Sequence, residues 1–395
     1  MSDFTLLLAY QLLITTVLCA LLGICLWNLS RFQTLGGSSP LPTTGPSVSV
    51  LIPARNEERC IEACVRSLCT QTYGQETAGQ ETNGQETANV VEVVVLDDGS
   101  TDGTSEILRR LQQEFPALRV LSGSTLADGW VGKSWACHQL AKQAAGDILL
   151  FTDADTVHAP ECIAATVKFV EDEDVEFFSV IPYEVFGSFG EHVVIPMIHV
   201  LYLCYTPIGL VRGSRTSPVA AANGQFMCFT RSGYAKAGGH AGVHDSLVED
   251  VFLAKNAKRA GLRMTLVDAT QFVSCRMYEN ARQVTDGFSK NFFPATGYSL
   301  PFTIFFMVHV VTGYIVPVFF WLEGWYVLSI IQLAAAACIR LVIAMRFRMP
   351  WWHMLLQPLT AAWTVFIGLN SIRWTYSKQG VRWKGRAYRK GDRSG

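Results

Sequence analysis

The chain of 395 residues predicts an α/β domain built on a doubly wound, mostly parallel sheet, framed by apolar helices at both ends. Three observations carry that expectation. Between residues 47 and 294, β-branched runs alternate with helical stretches, and the strand-like runs end on acidic turns. Uncharged runs long enough to span a bilayer flank this region. Half of the residues are hydrophobic and only 16% are charged, which is more apolar than a soluble enzyme requires.

Residues 1–30 hold the first such run, at 4–29, with neither a basic leader nor a small-residue cleavage site. A retained anchor is expected rather than a removed signal peptide, with Arg31 marking its cytoplasmic end. Residues 31–46 read as a linker, rich in Gly, Ser, Thr and Pro from 36 onward. Residues 48–52 form a strand closed by Pro53, and 56–69 a helix that brings Cys60 and Cys64 to one face. At 74–88 the pentad Gly-Gln-Glu-Thr-(Ala/Asn) occurs three times, a polar insert with nothing to bury, expected to be a disordered loop. A strand at 90–96 leads through Asp97-Asp98-Gly99-Ser100-Thr101-Asp102-Gly103 into a helix at 104–114. A short strand at 120–121, a helix at 134–145 and a strand at 147–151 follow, the last running into Thr152-Asp153-Ala154-Asp155. Parallel sheets bind ligands beyond the carboxyl ends of their strands, and Pro53, Asp98 and Asp155 all fall at such ends.

Residues 192–211 contain no Asp, Glu, Lys or Arg but are interrupted by Pro196 and Pro207. One crossing here would put Asp250 across the membrane from Asp153, so an interfacial or re-entrant segment is expected, with a buried core helix as the alternative. Residues 300–372 hold two long apolar runs, 300–322 and 324–345, and a weaker one at 351–372 interrupted by Gln357, Pro358 and Asn370. Four crossings would put the basic tail outside, whereas Arg31, Arg346 and Arg348 agree with three, so two to three C-terminal spans are expected. From residue 47 to 300 there are 20 basic and 30 acidic side chains; from 373 to 395 there are eight and one. An acidic body with a basic tail excludes nucleic acid as the main partner and favours an anionic membrane surface. The eleven cysteines contain no Cys-x-x-Cys pair, so reduced structural thiols are expected. Within the apolar runs only Glu323 and Arg340 stand out as charges, which argues against a transporter.

Asp153 and Asp155 repel each other at the end of a buried strand, and a hard cation, Mg²⁺ or Mn²⁺, would relieve that repulsion while holding a diphosphate. Alone, an Asp-x-Asp is more often a solvated turn. The surrounding motifs change that balance. Ile52-Pro53-Ala54-Arg55-Asn56-Glu57-Glu58, Leu96-Asp97-Asp98-Gly99-Ser100-Thr101-Asp102, Thr152-Asp153-Ala154-Asp155 and Glu249-Asp250 occur in order. Together they resemble the membrane-associated inverting glycosyltransferases of family 2, which have the GT-A fold, over about residues 48–294. Gly129-Trp130-x-Gly132-Lys133-Ser134-x-Ala136, Arg276-Met277-Tyr278 and Trp383-Lys384-Gly385-Arg386-x-Tyr388 narrow the resemblance to enzymes of polyisoprenoid lipids, namely carotenoid and hopanoid-associated glycosyltransferases.

The resemblance implies a nucleotide-sugar donor, UDP- or GDP-linked, and a lipid acceptor, handled by a domain on the cytoplasmic face of a bacterial cell membrane. Pro53, Ala54, Arg55 and Glu57 would meet the nucleoside; the bland reading is a helix amino-terminus with its usual acids. Asp98, or less plausibly Asp97, would accept a uracil N–H; the competing reading is turn and cap chemistry. Lys133 would meet diphosphate oxygens, against a merely solvated lysine. Asp153 would face the sugar and share the metal with Asp155. His158 is expected to be a supporting or surface residue. Asp250 would deprotonate the acceptor, with Glu249 as alternative base or structural neighbour, and Gly224 and Gln225 would border the sugar. The Gln-x-x-Arg-Trp of processive relatives is replaced by Gln283-Val284-Thr285-Asp286-Gly287-Phe288, leaving Lys290 or Arg276 to supply the positive charge. Transfer of one sugar is therefore expected. The alternatives are a short-chain polysaccharide or glycolipid synthase and a catalytically silent scaffold. The tail 373–395 reads as a surface anchor or, more sharply, as a segment whose Arg386 folds back onto the site.

Overall fold

The computed structural model describes residues 3–37, 40–74, 91–211, 220–377, 381–384 and 386–388; the repeat insert, Gly74 apart, lies outside them. A long apolar helix, α1 (Asp3–Arg31), leads into β1 (Val48–Ala54), α2 (Ile61–Cys69), β2 (Val91–Asp97), α3 (Thr104–Glu114), β3 (Leu118–Ser122), α4 (Gly132–Gln143) and β4 (Ile148–Thr152). Next come β5 (Thr156–His158), α5 (Cys162–Glu173), β6 (Phe177–Ile181), β7 (Tyr183–Glu184) and three short helices, α6 (Phe189–Val194), α7 (Met197–Tyr205) and α8 (Ile208–Val211). The domain closes with β8 (Phe226–Thr230), α9 (Arg231–Lys236), α10 (Glu249–Arg259), β9 (Met264–Asp268), β10 (Val273–Cys275) and α11 (Ala281–Ala295). Apolar helices α12 (Leu300–Tyr314), α13 (Val316–Leu322), α14 (Tyr326–Arg346) and α15 (Gln357–Tyr376) precede a hairpin, β11 (Val381–Trp383) and β12 (Arg386–Tyr388).

The main sheet runs β3-β2-β1-β4-β8-β6-β9 and is parallel except at β8, which lies antiparallel to both neighbours. Its strands are apolar on both faces because helices cover both. Val50, Ile52, Val93, Val95 and Leu150 pack towards α2, α3 and α5, while Leu51, Val94, Leu96, Leu149 and Phe151 pack towards α4 and α10. Each such side chain removed from water contributes about 1.5–3 kcal/mol. Pairing of β1 with β4 stops at Leu51 and Phe151, whereas β1 stays paired with β2 through Ala54. Pro53 thus sits past the last residue paired with β4, where strand order reverses and a crevice opens.

The helix expected from residue 56 begins at Ile61 instead. Asn56 adopts φ 54, a left-handed conformation that Asn tolerates, and its neighbours bond to the turn after β2 rather than to a helix. Residues 192–211 break into α6, α7 and α8, with Pro196 capping α7 and Pro207 preceding α8. Pro207 has no N–H to offer the Leu203 carbonyl four residues back. Asn28 of α1 fills that gap, its Nδ2 donating to the carbonyls of Leu203 (2.8 Å) and Thr206 (2.8 Å).

Among the described residues, four helices are long and apolar enough to cross a membrane: Asp3–Arg31, Leu300–Leu322, Tyr326–Arg346 and Trp351–Tyr376. The weak third run of the C-terminal region is one of them. These helices are fused to the sheet edge rather than strung beside it. Leu35 N donates to Asp268 O (2.8 Å), Asp268 N to Gln33 O (2.9 Å), and the Arg346 guanidinium pairs with the Asp268 carboxylate. Ile181 and Leu266 of the sheet share an apolar cluster with Leu18, Leu21, Ile339 and Ile343.

Candidate active site

The carboxyl ends of β1, β2 and β4 and the amino end of β8 meet at the crevice, since β8 runs the other way with Phe226 opposite Thr152. The turns after β1 and β2 are laced into one surface. Asn56 N donates to Ser100 Oγ (3.0 Å), Thr101 N to Asn56 Oδ1 (2.8 Å), Glu57 N to Thr104 Oγ1 (2.8 Å) and Gly103 N to Glu58 Oε2 (2.8 Å). Asp97 spends its carboxylate locally, accepting from Ser100 N (2.9 Å) and the Ser105 hydroxyl. Asp98 is buried and turned towards the tail, where Arg386 grips it with both terminal nitrogens, Nη2 to Oδ1 at 3.0 Å. Lys384 donates to the Glu57 carboxylate. Arg55 braces the arrangement, Nε donating to Lys384 O (3.1 Å) and Nη1 to the carbonyls of Asp98 and Gly99 (3.2 Å to the latter). Arg386 therefore does fold back, and Lys384 with it.

On the β4 side, Asp153 N and the Thr152 hydroxyl both donate to Gln225 O (3.2 and 2.8 Å), tying the Asp-x-Asp loop to the entry of β8. Lys133, at the start of α4, bridges Asp153 Oδ1 (2.7 Å) and Glu249 Oε1 (2.9 Å). Burial works against the Lys133 charge, but Asp153 and Glu249 outweigh it and hold the ammonium well above its ordinary range. Burial likewise opposes ionisation of Glu249, yet Lys133 keeps that carboxyl below its usual value. Asp250, next to it at the amino end of α10, accepts from Gly224 N at 3.0 Å. Burial first and Glu249 second push Asp250 up to about 6. Gly224 leaves room here: a Cβ would lie 3.2 Å from Lys133 Nζ and 3.4 Å from Asp250 Oδ2, so a side chain would press on the lysine. Lys290 on α11 is within electrostatic reach of Glu249, Lys133, Lys384 and Asp153, and burial lowers it to about 8.

Asp155 has a buried Oδ1 with no partner among the described residues, and burial, Asp153 and Glu57 raise it to about 7. Beside it stands Glu184, a residue that sequence reasoning missed. In register across the small sheet β5-β10-β7, Cys275 faces Thr156 on one side and Glu184 on the other. Burial and the charge of Asp155 push Glu184 up to about 8, and its Oε2 also lacks a partner among the described residues. The signal was available: Glu184 lies just past an apolar strand, like Asp98 and Asp155. Gln225 packs inward rather than into open space, its Nε2 donating to Cys275 Sγ (2.8 Å). Arg276 is not among the converging groups; it pairs with Glu191 at 3.5 Å. Of the two cations considered for the diphosphate, Lys290 is the one the fold brings near. His158 is buried, within 3.3 Å of Thr152 Oγ1, and so supports the loop from behind.

Among the described residues, no group of three or more His, Cys, Asp or Glu forms a ready cation cage. The residues fit a divalent ion bound jointly with a ligand. Asp155 offers an unpartnered oxygen in a carboxyl-rich pocket, and Asp153 lies two residues away.

This sheet order, with an acidic crevice at its switch point, defines a GT-A-like domain. In Mannosyltransferase PcManGT from Pyrobaculum calidifontis, solved in complex with GDP-Man and Mn²⁺, the same fold recurs with a TM-score of 0.54 at 20% identity, covering 93% of this chain and 100% of that one. Residues 49–231 match the family described as Glycosyl transferase family 2. The 4,4'-diaponeurosporenoate glycosyltransferase of Staphylococcus haemolyticus (strain JCSC1435) is 29% identical over 260 residues, 63% of this chain but 61% of that relative, less than two thirds of its length. Its namesake from Staphylococcus aureus (strain USA300) is 24% identical over 361 residues, 87% of this chain and 88% of the relative. The family 2 glycosyltransferase match thus covers residues 49–231, and the chain is distantly homologous to the 4,4'-diaponeurosporenoate glycosyltransferases.

Proposed function

We propose that the chain is a metal-dependent inverting glycosyltransferase, moving one sugar from a UDP- or GDP-sugar to a carotenoid or other polyisoprenoid lipid. The observation that carries this reading is the Lys133 bridge. One ammonium joins Asp153 on the donor loop to Glu249, and the next residue, Asp250, is held against the Gly224 amide. Names of relatives support the partners: diaponeurosporenoate for the acceptor class, GDP-Man with Mn²⁺ for donor and ion.

In this reading Asp98 and Glu57 receive the nucleoside, and Lys133 with Lys290 meets the diphosphate. Asp153 and Asp155 hold Mg²⁺ or Mn²⁺, which when bound supplies Lewis-acid charge for the departing nucleoside diphosphate. Asp250 takes the proton of an acceptor hydroxyl as that oxygen bonds to the sugar carbon from the face opposite the leaving group. The bond to the diphosphate oxygen breaks, and its electron pair leaves with the nucleotide. A carboxylate acceptor has no such proton and would depend on Asp250 less. Residues 47–294 form the catalytic unit, set on the cytoplasmic side with Arg31, Arg346 and Arg348 at that face.

Asp250→Asn should cut transfer to a hydroxyl acceptor by about 10²–10⁴-fold while nucleotide-sugar binding, measured by calorimetry, survives. Full turnover by that variant overturns the assignment. Asp155→Ala should abolish the Mn²⁺-dependent part of donor affinity; equal affinity with and without Mn²⁺ in the parent protein counts against the metal.

A further inference from the structure

Arg340 sits on α14 with 1% of its surface exposed, and both terminal guanidinium nitrogens lack a partner among the described residues. Only Nε is used, donating to His353 O at 3.3 Å. None of the ion pairs among the described residues includes Arg340. A buried guanidinium offers four further N–H donors at its two ends, and leaving them and their charge uncompensated is costly.

The surroundings are polar and equally unspent. Among the described residues, neither ring nitrogen of His199 on α7 has a hydrogen-bond partner, and Arg340 and His353 act on it electrostatically. His353 binds His192 through Nε2 (2.8 Å), while its Nδ1 and the Gln357 Oε1 have no partner among the described residues. Yet the outside of this region is apolar: Trp351 and Leu355, flanking His353 in sequence, are 63% and 65% exposed. Arg340 lies six residues before Arg346, hence about 9 Å along the helix from the sheet edge. An anion reaching it must come with hydrocarbon attached.

We propose that Arg340, with His199 and His353, is a binding site for the oxyanion of a lipid, a carboxylate or phosphate head whose tail lies along the apolar helices. A planar guanidinium fork matches either group bidentately. The helix that carries His199 also touches the segment leading to Gly224. Tyr202, one turn from His199 on α7, donates to Ala222 O (2.8 Å), just ahead of Gly224.

The test uses the full-length protein, delipidated in neutral detergent. Oleate and phosphatidic acid are the lipid probes, with oleyl alcohol and inorganic phosphate as controls. Without lipid, Arg340→Met should melt higher than the parent, because a buried unpaired charge is replaced by an apolar chain of similar length. Added oleate or phosphatidic acid should raise the parent by several degrees and reverse that order. Equal gains in both proteins, or no gain in either, overturn the proposal. A gain from inorganic phosphate alone also overturns it, revealing an aqueous anion site. If the variant does not fold, native mass spectrometry of the parent decides. Retention of phosphatidic acid at energies that strip oleyl alcohol is the expected result, and equal stripping the contrary one.

Discussion

Asp250 and Glu184 show two uses of burial at single residues. For Asp250 the sign is simple. A base must be ionised, and a carboxyl at about 6 is protonated below that pH. Transfer to a hydroxyl acceptor should therefore rise tenfold per pH unit up to about 6 and level off above, read as kcat/KM from pH 5 to 8; a flat profile removes Asp250 as base. Glu184 has the stability consequence. Raised to about 8, it keeps in the folded protein a proton that the unfolded chain releases near the ordinary value of 4.5. Its contribution to stability therefore falls as pH rises from about 4.5 to 8. Glu184→Gln should be more stable than the parent at pH 8, by on the order of 1–3 kcal/mol and seen as a higher melting temperature, and differ little at pH 5. A loss of Mn²⁺-dependent nucleotide affinity in the same variant would mark Glu184 as part of the ion's surroundings.

At the scale of elements, the β11–β12 hairpin lies where a nucleoside is expected, its Lys384 on Glu57 and its Arg386 on Asp98. The pocket carboxylates and these cations neutralise each other in the structure as it stands. Arg386→Ala should then bind free nucleoside diphosphate roughly tenfold tighter, the worth of one charged hydrogen bond no longer competing. Weaker binding in calorimetry would instead make Arg386 part of the donor site. The hairpin also marks how far sequence could go. Strand ends at Pro53, Asp98 and Asp155 were legible because apolar runs followed by acidic turns are local patterns, and a parallel sheet brings such ends to one edge. Glu184 shares that local pattern, but its approach to Asp155 depends on the β7–β10 register, which the pattern does not carry. Nor could spacing decide between Lys290 and Arg276, since the choice depends on Glu191 capturing the latter. The reversal of β8, which brings Gly224 to the crevice just before its strand begins, is likewise a tertiary fact.

For the whole molecule, the apolar helices and the sheet form one packed body. Asp268 ends β9, pairs with Arg346 at the end of α14, and exchanges backbone hydrogen bonds with the chain leaving α1. Asn28→Leu should cost about 1–3 kcal/mol by baring the carbonyls of Leu203 and Thr206, seen as a lower melting temperature of the detergent-solubilised protein. An unchanged melting temperature would show that water replaces the amide. Asn28 also bears on how such a chain can evolve. An anchoring helix that merely tethers can be exchanged for any other of similar length. This one carries the substitute donor for an amide that Pro207 cannot provide, so the two residues should be inherited as a pair. Lineages that lose the proline are free to lose the asparagine, and chimaeras that graft a foreign first helix onto this body would inherit a wound already cut.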